Sequence, residues 1–165
     1  MQEIDNTFRV LLKTLSGFKQ SEIGLAPTGG GWSAGQCTEH ILKSIDGLPK
    51  VCDGRTENVQ RVMNEKIEAI KGVFLNFDRQ FQSPDFVKPL ETKHKLHQMI
   101  DSLENAKVEL LKVANTHDLR LTCKDFEIPG FGPFTKYELL SFALMHTQRH
   151  TRQLEIIKNN LNATT

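Results

Sequence analysis

Apolar residues recur every three or four positions through most of this chain and alternate almost nowhere, which favours long amphipathic helices and leaves little for a sheet. Ile4, Phe8, Leu11, Leu12, Leu15 and Phe18 form one such stripe, predicting a first helix that ends near Gly17. After the loop "APTGGG", Ser33 and Gln36 have capping-box spacing, so a second helix is expected from about Ser33, with Trp32 just outside as an apolar anchor. Pro49 should bend or end it. Val59, Met63, Ile67, Ile70 and Phe74 predict a helix from Thr56 to Leu75, whereas "NFDRQFQSPDFVKP" reads as extended, with Pro84 and Pro89 as breakers. Leu96, Met99, Leu103, Ala106, Leu110 and Ala114 predict another long helix, from about Glu91 to Asn115. "THDLRLTCKDFEIPGFGPF" reads as an irregular loop. Thr135 then opens a second capping box, with Glu138, and a last helix expected to reach about Asn160.

Four long helices with apolar stripes predict an all-α fold, a four-helix bundle. Short loops join antiparallel neighbours, and only the second-to-third connection, Cys52 to Pro89, is long enough to cross over, so an up-down-down-up order follows. That crossover carries the extra helix. A length of 165 residues suits a single domain spanning 1–165. The triple glycine follows no predicted strand and fits neither G-x-G-x-x-G nor the P-loop pattern, so it reads as a flexible lead into the second helix rather than a phosphate cradle.

Lys plus Arg is 21 against 20 for Asp plus Glu, with no long run of one sign, so neither nucleic acid nor an anionic membrane surface is implied as a partner. Nothing approaches about 18 consecutive apolar residues, so no membrane span is expected. The N-terminus lacks the positive n-region and unbroken apolar stretch of a signal peptide. Cys37, Cys52 and Cys123 form no CxxC pair and leave one thiol over in any disulfide scheme, which fits a reducing compartment and predicts a cytoplasmic location.

The chemistry concentrates in the last helix. Taking about 100° per residue, Leu139, Phe142, Ala143, His150, Gln153, Ile157 and Leu161 fall within about 60° of His146, so both histidines point inward. An unpaired buried imidazole costs on the order of 1 to 3 kcal/mol. Two readings therefore stand: satisfied core histidines, or an i, i+4 pair holding one metal ion, with a third ligand to decide. His94 lies about 180° and His97 about 120° from the stripe centre at Leu103, so both should face solvent. His117 falls where its helix ends. His40 is about 90° from the stripe of Ile41, Ile45 and Leu48, at the edge of the buried face, beside the small residues Cys37, Ser44 and Gly47. A rim histidine with one hydrogen bond is the other reading of it.

"WSAGQCTEH" together with the late "HTQRH" resembles the DinB/YfiT-like superfamily of small metal-binding bundles. The resemblance covers essentially the whole chain in helix order and loop lengths and rests on Trp32, Ser33, His40, His146, His150 and Gln153. It implies an up-down-down-up four-helix bundle and a divalent metal held by His40, His146 and His150. Zinc, nickel, manganese or iron suits three neutral imidazoles with coordination positions left open. Gln36, Ser44 and Gln153 are within reach to orient the rings. Cys37, one turn before His40, reads either as a fourth ligand or as a compact core residue.

Thr147 occupies the place where an HExxH protease carries its glutamate, and Glu39 points about 100° away from His40, so no general base is evident. The resemblance implies metal-dependent hydrolysis or transfer of a low-molecular-weight thiol, such as bacillithiol or mycothiol, to a small-molecule substrate. Thiol transfer suits the missing base, because a thiolate is itself the nucleophile. Lys43, Arg149 and Arg152 are the nearest cations for an acidic thiol. A non-catalytic metal- or ligand-binding stress protein is the alternative class. A homodimer stays open.

Overall fold

The periodicity of the first helix holds: Ile4, Phe8, Leu11 and Leu15 are buried along α1 (Gln2–Ser16), which stops at Gly17. These elements come from a computed structural model that describes residues 1–90 and 93–163. The chain is mostly helical, in the order α1, α2 (Ala34–Asp46), α3 (Leu48–Asp53), β1 (Thr56–Glu57), α4 (Ile67–Phe74), α5 (Leu96–Thr116), β2 (Thr122–Ile128), β3 (Gly132–Thr135) and α6 (Lys136–Ala163).

Both capping boxes form. Ser33 Oγ accepts from Gln36 N at 3.2 Å while Ser33 N donates to Gln36 Oε1 at 3.0 Å, and Thr135 and Glu138 repeat the exchange at the start of α6. Pro49 ends the second helix as a new one begins. It occupies the first turn of α3, where its missing N–H leaves no bond unmade.

Packing ties α1 to α5 and α6, and α2 to the same two helices, so the main core lies between them. Because α6 also meets α4, its buried surface is wider than the predicted stripe: Leu140, Leu144, Thr147, Thr151 and Leu154 are buried too. No helix among the described residues is long and apolar enough to cross a membrane.

Three expectations need correction. The all-α class is incomplete, because the loop after α5 holds an antiparallel hairpin, β2 with β3, which β1 extends to a three-stranded sheet. Its register pairs Thr122 with Thr135 and Ile128 with Gly132, with an irregularity between. The turn needs Gly130 and Gly132 at φ 86° and 64°. The periodic signal was hidden because β2 buries two adjacent residues and then exposes Lys124 and Asp125, so apolar and polar residues do not alternate.

The helix expected over Thr56 to Leu75 is helical only over Ile67–Phe74. Met63 is exposed, and the backbone upstream is spent on tertiary bonds: Met63 O accepts from Thr135 Oγ1 at 2.6 Å and Lys66 N donates to Glu138 Oε1 at 2.8 Å. A buried carboxylate that needs donors overrides weak local propensity. The predicted start of the third long helix at Glu91 lies outside the described residues, and α5 begins at Leu96.

Candidate metal centre

His40 on α2 and His146 and His150 on α6 bring their ring nitrogens within 4.8 Å of one another. The Nε2 of His146 is 3.1 Å from Nε2 of His40 and 3.2 Å from Nε2 of His150. Trp32 flanks the group, its ring centroid 4.8 Å from that of His40.

Hydrogen bonds fix two of the rings. The Val87 carbonyl, 2.8 Å from His40 Nδ1, can only accept, so Nδ1 carries the hydrogen and Nε2 the lone pair. Gln153 Oε1, 2.9 Å from His150 Nδ1, imposes the same state on His150. Two lone pairs thus face His146 Nε2. A hydrogen there serves one and leaves the other lone pair without a donor, whereas one cation satisfies all three. Tetrahedral ligands about 2.0 to 2.1 Å from zinc stand about 3.3 Å apart, close to the 3.1 and 3.2 Å that separate His146 Nε2 from its two neighbours. The donor set therefore fits a divalent ion.

Burial pushes all three imidazoles below their ordinary range. His150 falls to about 4, with the His40 charge adding to desolvation and the Gln153 bond opposing it. His146 goes well below, through burial and then its two neighbours. His40 is lowered by burial, against the Val87 bond. All three are neutral at pH 7, the state a metal ligand needs.

Of the residues expected to orient these rings, Gln153 is hydrogen-bonded to a ring nitrogen. The Gln36 amide oxygen is used in the cap, and Ser44 Oγ donates to the His40 carbonyl at 2.8 Å rather than to a ring. Cys37 lies 3.9 Å from His150 Nδ1, on the side away from the converging nitrogens, and its thiol donates to the His150 carbonyl at 3.6 Å. Burial pushes that thiol up, so it stays protonated and acts as a compact core residue.

The largest omission from the sequence reading is the segment before α5. His94 does not face solvent: its side chain is 10% exposed, and Nε2 lies 2.8 Å from Glu39 Oε2. It precedes α5, so helical angles do not apply to it; His97, on the helix, is exposed as expected. Glu39 is a clamp rather than a free surface charge. Its Oε1 accepts from Leu90 N at 3.0 Å and pairs with Lys43 at 2.9 Å, and Lys43 in turn donates to the Lys88 carbonyl at 2.7 Å. A Cβ on Gly35 would come within 2.5 Å of the His94 ring, so this close approach requires glycine. Lys88, Leu90 and His94 are thereby tied to α2, next to the Val87 carbonyl that orients His40. No local motif announces this, because the acceptor is backbone.

The three histidines line a cleft of about 1970 Å³. Its cations, Lys43, Arg79, Lys88, Arg149 and Arg152, outnumber its carboxylates, Asp78 and Glu127, and both carboxylates are exposed. Arg149 holds the carbonyls of Asn76 and Arg79 and lies over Phe81, and Arg152 lies 4.5 Å from the Phe77 centroid. Lys43 and Arg149 are therefore engaged by the chain itself, and Arg152 is the least committed of the three predicted cations. Phe74, Phe77, Phe81, Phe86, Phe131 and Phe142 supply much of the apolar wall.

A family model described as the DinB superfamily matches residues 3–154. No curated protein and no solved structure matches the chain.

Proposed function

The chain belongs to the DinB superfamily, and from that premise we propose that it is a divalent-metal enzyme, with His40, His146 and His150 holding zinc, nickel, manganese or iron, that transfers a low-molecular-weight thiol to a small electrophile. The proposal includes one domain over 1–165 and an up-down-down-up order of α1, α2, α5 and α6. The convergence of three Nε2 atoms in an open cleft carries it.

Bound there, a divalent ion supplies Lewis acidity that favours the deprotonated form of a thiol or water beside it. The residues around it select between the two. Hydrolysis calls for a base to take a proton from water, and Glu39, next in sequence to His40, is consumed by His94, Lys43 and Leu90 N. Thiol transfer needs no such base, since the thiolate attacks directly. The excess of cations favours an anionic partner, with Arg152 the most available to meet it, and the phenylalanine wall favours one with an apolar or flat portion.

Calorimetric titration of bacillithiol or mycothiol into zinc-loaded and metal-free protein tests this reading. Binding should be tighter to the loaded form, and His150→Ala should abolish both zinc uptake and the difference. Equal thiol affinity in both forms overturns the transferase reading. Ester hydrolysis that tracks zinc occupancy would favour the hydrolase.

A further inference from the structure

Two cysteines that do not line the cleft, Cys52 and Cys123, lie where α3 meets β2. Cys52 is 1% exposed and Cys123 0%, both are free thiols, and the packing of α3 on β2 makes the two thiols neighbours. Their backbones are stitched in place. Thr56 pairs with Cys123 across β1 and β2, Lys124 N donates to the Arg55 carbonyl at 2.9 Å, and Asp125 accepts from Arg55 N and Nε at 2.7 Å each. A Cβ on Gly54 would meet Asp125 Oδ2 at 2.5 Å, so the two segments approach as closely as glycine allows.

Positive charge is stationed beside the pair. Lys136, 6% exposed, acts on both sulfurs, and its Nζ is 3.0 Å from His117 Nδ1, whose Nε2 lies 3.3 Å from Asp53. The neighbouring Cys52 thiol, and then Lys136, hold the Cys123 thiol below its ordinary range against the effect of burial, while Cys123 and burial push Cys52 up. Of the two sulfurs, Cys123 is the one held toward the thiolate form. Cys37 is an internal control: it is equally buried but has no thiol beside it and bonds to a carbonyl.

We propose that Cys52 and Cys123 form a redox-sensitive dithiol that a hydroperoxide closes to a disulfide, fastening α3 to the sheet. The Cys123 thiolate attacks the peroxide O–O bond, forming S–OH and releasing hydroxide. The Cys52 sulfur then displaces oxygen from that sulfenic acid, forming the S–S bond and releasing water, and the thiol protons end on the two departing oxygens. Peroxide is reduced to water as two thiols become one disulfide. Access comes through local opening of α3, a helix of 6 residues.

This inference does not depend on the metal centre, and wild-type protein tests it. After hydrogen peroxide treatment, denaturation and alkylation, mass spectrometry should show two of the three thiols lost, one intramolecular Cys52–Cys123 link, and Cys37 still alkylated. Cys52→Ser should leave a sulfenic acid on Cys123 that dimedone traps, and Cys123→Ser should leave Cys52 reduced. Retention of all three thiols, a link involving Cys37, or links only between molecules would overturn it.

Discussion

The start of α6 and its middle each bury polar groups, and they do so to opposite ends. Glu138, 0% exposed, has every need met: Arg61 donates twice at 2.7 Å, Lys66 N at 2.8 Å and Thr135 N at 2.9 Å. Two turns on, His146 and His150 join His40 in a cluster whose lone pairs face one another, with more acceptors than hydrogens. A saturated buried network is a structural joint. An unsaturated one is a socket, and hydrogen-bond accounting separates the two.

Breaking the joint should have the largest effect. Arg61→Ala leaves a buried carboxylate without its counter-charge and should destabilise the protein by about 3 to 5 kcal/mol in urea unfolding, with zinc affinity unchanged once the protein is folded. His150→Ala should do the reverse: zinc affinity falls more than about 100-fold, about 2.7 kcal/mol, by calorimetry. Stability of its metal-free form should change by less than about 2 kcal/mol, since the one His146 N–H then has a single lone pair to serve. A metal-free His150→Ala protein that unfolds as readily as Arg61→Ala would erase the distinction.

Glu39→Ala tests whether the ties to α2 serve the socket. Without their Glu39 contacts, Leu90 and His94 should steady the Val87 carbonyl over His40 less firmly and weaken zinc affinity about tenfold without removing a ligand. The smallest effect concerns acid. Desolvation raises the Glu138 carboxyl, but the Arg61, Thr135 and Lys66 bonds outweigh it and hold the carboxyl below its ordinary range. The stability this contributes is present above the unfolded carboxyl value of about 4.3 and is lost as pH falls through the lower folded value. One such group accounts for a slope of at most about 1.4 kcal/mol per pH unit, and Glu138→Gln should flatten the acid limb by that amount.

What was legible in the sequence is what depends on neighbours in the chain. Periodicity found α1, α2 and α6, the two capping boxes marked their helix starts correctly, and an i, i+4 spacing singled out His146 and His150. The partners that give these residues their roles are remote. Glu138 was readable as a cap, but its ion pair reaches Arg61 across 77 positions. His40 was ambiguous by angle because the carbonyl that decides its orientation is 47 positions away and carries no side-chain signature. The hairpin escaped notice because β2 packs a helix on part of its length and meets solvent on the rest.

The acceptor at Val87 has a further consequence for how this chain can vary. Every residue type presents the same main-chain oxygen, so substitutions at position 87 that keep the local turn leave the His40 contact intact. Length is another matter. Inserting or deleting one residue between the Arg149 anchors at Asn76 and Arg79 and the Glu39 anchor at Leu90 shifts a different carbonyl, at a different angle, over the ring. This stretch should therefore drift freely in composition among related chains while keeping its count of residues, the opposite of an ordinary surface connection.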